Sequence, residues 1–249
     1  MIVNRGVGIA HYNRLDNLPK IIEAVKKTTP ERTKIVVADD GSDGDVSAIT
    51  KKYNVILIQG PNKGVAYNKN RVLYALKKCH FIAILEDDLY PTESGWFNQY
   101  ETATVLSDIH HWCRVQDKNK EIPENVPEFT SFLSQNNLTP IYGSSPRGDL
   151  TFISSRVITQ VGGFDKRFKG AGYAHGSWSN RVVRAGLVKH PLKFIDIRES
   201  RDMFSQIGDT TGGRFDRPKR EIKEQLDHNK IVYQEIEKSE NIYQPIELE

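Results

Sequence analysis

The chain is poor in sulfur and in tryptophan: 249 residues carry two cysteines, two methionines and three tryptophans. Cys79 and Cys113 are too few for a disulfide framework and lack the paired spacing of a metal site, so both read as ordinary thiols of a reducing compartment. No stretch approaches the roughly 18 apolar residues of a membrane span. The start, MIVNRGVGIAHYNR, lacks a basic segment followed by a long apolar core. A cytoplasmic location is the expectation. An excess of one charge is also missing, since Lys and Arg number 35 against 32 Asp and Glu, a net +3. That excess is too small to require nucleic acid, although its sign suits an anionic ligand. Neither GxxxxGK[ST] nor GxGxxG occurs, which argues against a P-loop ATPase and a Rossmann dehydrogenase. There is no internal repeat and no low-complexity tail.

What is present suits a soluble α/β protein: 38% hydrophobic and 27% charged residues, in a chain long enough for one large domain. Short β-rich runs alternate with helical patterns over the first ninety residues, as βαβ units and a parallel sheet require. Strands are expected at Val7 to Ala10, Lys34 to Ala38, Val55 to Ile58 and Phe81 to Leu85. Between them, Leu18, Ile21, Ile22 and Val25 recur at helical spacing with Asp16 as the cap. Further helices follow around Val46 to Tyr53 and Val65 to Lys78. Periodicity fails from about Ser107 to Arg147, which reads either as an excursion over a cleft or as a plain surface insertion. Strands resume at Thr151 to Ile153 and Leu192 to Ile197, with a helix around Trp178 to Ala185 between them. A charged last helix carries Ile222, Leu226, Tyr233 and Ile236 on one stripe. We divide the chain into residues 1–200, with a nucleotide-binding half (1–106) and an acceptor-side half (107–200), and a basic loop plus C-terminal helix (201–249) packed on the same domain.

Parallel strands bring their carboxyl ends to one rim, where ligands of open α/β sheets collect. Three polar clusters fall at such ends: His11-Tyr12-Asn13, Asp39-Asp40, and Glu86-Asp87-Asp88. Three consecutive carboxylates repel one another unless water or a cation compensates. A hard divalent ion, Mn²⁺ or Mg²⁺, is a natural partner. Side chains alternate along an extended segment, so Glu86 and Asp88 should point one way and Asp87 the other. An exposed acidic turn that binds nothing is the alternative. Asp39 and Asp40 suit the N–H of a base or a ribose hydroxyl, or else an Asx-turn in DDGS. His11 stands where it would line a ligand pocket or simply pack. His110 and His111 receive no role, and His190 before Pro191 reads as structural.

DDGS after a strand, NKGVAYNKNRVLYAL, ILEDDLYP and GGFDKRF before a helix together resemble, in order and spacing, the family 2 glycosyltransferases of GT-A fold. The resemblance covers about residues 5 to 190. It implies a mostly parallel central sheet flanked by helices, a UDP-sugar donor, a divalent metal and an acceptor hydroxyl. Inversion of configuration is the family's default. Carried over residue by residue, Tyr12 and Asp39 or Asp40 would hold base and ribose. Lys69 stands where the family often has arginine near the nucleotide, and Asn70 matches the asparagine that follows it. Glu86 and Asp87 would face ribose and sugar, with Asp88 as the metal ligand.

One departure matters. After GGFDKRF the family commonly has an acidic pair, whereas this chain reads Gly172-Tyr173-Ala174-His175. Ala174 cannot take a proton. Either His175 is the base, or a residue such as Asp149 supplies it, or the acid has been lost and the domain binds without turnover. If Ala174 replaces a glutamate, Ala174→Glu should raise transfer. Arg198, Arg201, Arg214, Arg217, Lys219 and Arg220 surround GDTTGG at Gly208 to Gly213, with Arg214 taken as a diphosphate contact of a closing loop. A solvated surface loop, or a track for a nucleic-acid backbone with a DNA or RNA hydroxyl as acceptor, are the other readings. A nucleotidyltransferase that binds a nucleoside triphosphate is a further rival.

Overall fold

The computed structural model describes residues 4–112, 120–121, 131–132, 135–142, 147–170, 172–189, 194–207 and 219–248. The first ninety residues form β1 (Arg5–His11), α1 (Leu18–Thr28), β2 (Lys34–Asp39), α2 (Val46–Lys52), β3 (Ile56–Gln59), α3 (Val65–Leu76) and β4 (Phe81–Glu86). Val7, Ile9, Val36, Val37, Ile82, Ile84 and Leu85 are fully buried, the continuous apolar habit of strands covered on both faces. Leu18, Ile21, Ile22 and Val25 give α1 its buried stripe. Asp16 does not cap it. The helix begins after Asn17, whose side chain makes no cap bond and instead donates Nδ2 to the carbonyl of Asp87 at 3.1 Å. Asp45 does cap α2, accepting the Ala48 N–H at 2.9 Å. The third helix stops at Leu76, short of Lys78, and is buried nearly all round: Asn68, Lys69, Asn70 and Arg71 are as covered as Val72 and Leu73.

The remaining elements are β5 (Leu89–Pro91), α4 (Trp96–Ala103), β6 (Ile109–His111), β7 (Lys120–Glu121), β8 (Pro140–Tyr142), β9 (Leu150–Ser154), α5 (Ser155–Gln160), α6 (Ala174–Arg184), β10 (Ile195–Ile197), α7 (Arg198–Arg201), β11 (Phe204–Gln206) and α8 (Lys219–Lys238). The main sheet has the order β3-β2-β1-β4-β9-β6. Its first four strands are parallel, while β9 runs antiparallel between β4 and β6. The stretch from 107 to 147 is therefore not wholly an excursion, because Ile109–His111 completes the main sheet. Three residues are too short a run to show a period of two.

Two apolar clusters cover the sheet's faces. One holds Leu18, Ile22, Trp96, Phe97, Tyr100 and Phe152; the other holds Val72, Leu76, Phe164, Trp178 and Val182. Val232 and Ile236 of α8 join the second cluster, and Asn180 of α6 donates to the Tyr233 hydroxyl at 2.7 Å. Beyond α8 the chain pairs back: Gln244 N donates to Val161 O, and Gly163 N donates to Gln244 O. Gly162 permits this, since its φ is +74° and a Cβ there would lie 1.8 Å from the Gln244 carbonyl oxygen. Among the described residues no helix is long and apolar enough to cross a membrane. Cys79 is free and buried; Cys113, His190, Pro191, Gly208 to Gly213, Arg214 and Arg217 lie outside the described residues.

Candidate active site

The register aligns the three polar clusters on one rim, with His11 opposite Asp39 and Ala10 opposite Glu86. The start of β9 meets them there, as Glu86 N donates to the Asp149 carbonyl at 2.9 Å. A strand from each half of the chain thus supplies a carboxylate to the same corner. Oxygens of Glu86, Asp88 and Asp149 lie within 4.8 Å of one another. The strand ends at Glu86 and Asp87-Asp88 form a turn, so strand alternation does not apply; Asp87 stays out of this group and accepts the Tyr12 N–H at 2.8 Å.

Repulsion within the triplet is eased by two cations of the protein itself, Arg14 and Lys69. Nη1 of Arg14 lies 3.1 Å from Asp87 Oδ1 and 2.9 Å from Asp88 Oδ2, and His11 Nδ1 lies 3.1 Å from Asp87 Oδ2. Lys69, fully buried, donates to Glu86 Oε1 at 2.7 Å and to the Gly148 carbonyl at 2.7 Å, with His175 Nε2 3.0 Å away. An ammonium has three hydrogens, and here it has three acceptors. These two cations offset part of the charge of Glu86, Asp87, Asp88 and Asp149, and the corner keeps an excess of carboxylates that could hold a metal ion. Asp88 Oδ1 is buried without a partner among the described residues. Burial, then the charge of Glu86, lifts the Asp88 carboxyl to about 6 against the pull of Arg14.

His175 is neutral. Burial and the charge of Lys69 push its pKa well below the usual value, and its Nε2 lone pair faces the Lys69 ammonium. Gly148 leaves room for this cluster, since a Cβ would come 2.5 Å from His175 Nε2 and 2.8 Å from Glu86 Oε1. His111 also belongs here: its Nε2 lies 2.7 Å from Ser179 Oγ and its ring 6.5 Å from that of His175. No signal in the sequence marks it, because β6 is three buried residues long.

Other expected residues have more local partners. Asp40 is buried, pairs with Arg71 Nη1 at 2.7 Å and accepts the N–H groups of Lys63 and Gly64, so it pins the start of α3. Asp39 accepts from Ser42 N, Ser42 Oγ and Gln59 Nε2, the turn-capping reading of DDGS. Asn13, at φ +56°, exchanges hydrogen bonds with Asp43. Asn70 uses both ends of its amide on the Phe164 backbone, each at 2.8 Å. Tyr12 is 44% exposed and presents an open ring at the rim. Ala174 is buried within the second apolar cluster. Arg14 and Arg71 went unnoticed in the sequence, because the acidic residues they meet are 31 or more positions away.

A model of the family described as Glycosyl transferase family 2 matches residues 7–142, more than half of the chain. No curated protein matches. Among solved structures, glucosyl-3-phosphoglycerate synthase from Mycobacterium tuberculosis, in complex with Mn²⁺, UDP and glucosyl-3-phosphoglycerate, is similar at TM-score 0.56 and 12% identity, over 93% of this chain and 80% of that one. GalNAc-T7 with UDP, GalNAc and Mn²⁺ has TM-score 0.56 and 13% identity over 71% of this chain and 40% of that one. Residues 1–349 of S. aureus TarS with UDP give TM-score 0.54 and 14% identity over 74% and 56%. The chain thus spans about half or less of the latter two.

Proposed function

This chain belongs to glycosyl transferase family 2, and from that membership and the rim geometry we propose that it moves a sugar from a UDP-sugar to an acceptor hydroxyl with inversion, aided by Mn²⁺ or Mg²⁺. The observation that carries the reading is the convergence of Glu86, Asp88 and Asp149, with one buried Asp88 oxygen lacking a partner among the described residues. All-oxygen donors suit a hard divalent cation. Asp88 would hold it, and the ion would neutralise the departing nucleoside diphosphate. The UDP and Mn²⁺ seen with proteins of similar fold support this choice of donor and metal.

The chain's own groups have distinct tasks. Tyr12, exposed above the β1 rim, stacks on the base, while Asp39 at the neighbouring strand end reaches the ribose. Lys69 orients Glu86 toward the sugar side. Asp149 takes the acceptor proton, because the His175 lone pair is engaged by Lys69 and Ala174 has no basic atom. Asn70 serves the site by holding Phe164, whose ring centroid lies 5.1 Å from that of His175. The competing reading, a domain that binds nucleotide without turnover, draws on Ala174 alone.

Thermal shift with a panel of nucleotide-sugars, with and without Mn²⁺, identifies the donor, since a ligand bound only by the folded state raises the melting temperature. Donor hydrolysis then separates enzyme from binding module. Asp88→Asn should abolish the Mn²⁺-dependent shift. Asp149→Asn should lower turnover by roughly 10²–10⁴-fold, the usual worth of a general base. Unchanged turnover in Asp149→Asn ends its assignment as base. A glutamate at 174 would enter an apolar cluster, so Ala174→Glu should lower the melting temperature by several degrees, at a cost of about 1–3 kcal/mol, with no gain in transfer.

A further inference from the structure

We propose that Arg14 makes metal binding conditional on the diphosphate: it is the resident counter-ion of the carboxylate corner and passes from Asp88 to the phosphates when donor and metal arrive. The inference rests on the metal-dependent reading above. One nitrogen of Arg14 serves both Asp87 and Asp88. A divalent ion held by the Asp88 carboxylate would have to share that group with Arg14. It would therefore lie within a few ångströms of a fixed positive charge held 2.9 Å from the same group. Two cations that close repel strongly in a partly buried cleft.

The arginine is built to yield. Its side chain is 28% exposed, against 6% for Asp88, so it moves toward solvent more readily than the carboxylate does. Asp87 does not depend on it, because the Tyr12 N–H already holds Asp87 Oδ2 and Asn17 holds the Asp87 carbonyl. Lys69 cannot substitute, being fully buried with three acceptors around its ammonium. A diphosphate offers the guanidinium a new planar, bidentate partner. Once Arg14 is matched by phosphate, its opposition to the ion is removed. The corner thereby discriminates against free divalent ions and accepts the ion together with the nucleotide.

A thermodynamic cycle tests this without any turnover. Mn²⁺ binding is measured by calorimetry, alone and at saturating UDP, for the wild type, Arg14→Gln and Arg14→Lys. The wild type should bind Mn²⁺ at least about tenfold more tightly with UDP than without, a coupling of about 1.4 kcal/mol. Arg14→Gln should bind Mn²⁺ alone about tenfold more tightly than the wild type and lose most of the coupling; Arg14→Lys should restore part of it. If Arg14 merely orients Asp88, Arg14→Gln binds Mn²⁺ alone more weakly or equally, and the inference falls while the metal-dependent transferase stands. If the wild type binds Mn²⁺ neither alone nor with UDP, both fall together. Circular dichroism and the melting temperature of Arg14→Gln confirm that the variant measured is folded.

Discussion

Arg71→Met should destabilise the protein by about 3–5 kcal/mol, because it strands a buried carboxylate. Arg71 is buried on α3, and its guanidinium meets Asp40 Oδ1 at 2.7 Å and the carbonyls of Asp39 and Pro61 at 3.3 and 2.7 Å. It also stacks over Tyr67, 4.8 Å from the ring centre. Methionine keeps the volume of the stem and removes every one of those bonds. Asp40 retains the Lys63 and Gly64 N–H groups, so the loss should sit near the lower end of the range. Urea denaturation measures it. Asp40→Asn/Arg71→Met should cost less than the sum of the single changes, since the stranded charge is gone. An additive double variant would show that the two side chains do not act as a pair.

Acid should weaken the fold between pH 7 and 5, where buried histidines outweigh the single carboxylate that titrates there. His110 is fully buried, neither ring nitrogen has a partner among the described residues, and burial pushes its pKa down to about 3. Burial likewise lowers His111 to about 4. Both pKa values are lower in the folded state than the ordinary 6.5, so the unfolded chain takes up protons first as pH falls. Their contribution is complete above about pH 7 and declines from there toward pH 4; at pH 5 each has lost about 2 kcal/mol. Asp88 acts in the opposite sense, because its raised pKa binds a proton in the folded state first, and returns about 1.4 kcal/mol by pH 5. His175, depressed by burial in the same way, adds a loss of the same sign, so the histidine losses between pH 7 and 5 outweigh the return from Asp88. His110→Phe should remove about 2 kcal/mol of that pH dependence, leaving the slope set by His111, His175 and Asp88. A variant whose stability falls with acid as steeply as the wild type would refute the assignment to His110.

Much of the first half of the fold is legible in the sequence because its strands are long and apolar and its helices carry regular stripes. The rim follows from that order alone, once β1, β2 and β4 are parallel. Legibility fails where a signal is short or two-sided. The three residues of β6 are too few to show alternation, so His111 went unplaced. The polar run Asn68 to Arg71 carries no apolar signal of burial, yet it is covered on both sides and each member has a specific partner. Pairings such as Arg14 with Asp88, 74 positions apart, depend on how loops fold back rather than on any local pattern. Asp149 is the converse case: an isolated carboxylate in sequence, brought to the corner by an antiparallel strand.

The bidentate grip of Asn70 on Phe164 has a mechanical corollary. It bolts the helix that carries Lys69 to the loop that precedes His175, deep in the interior and across 94 positions of chain. Any parting of that helix from that loop must first break both bonds, so the seam between them is braced from within.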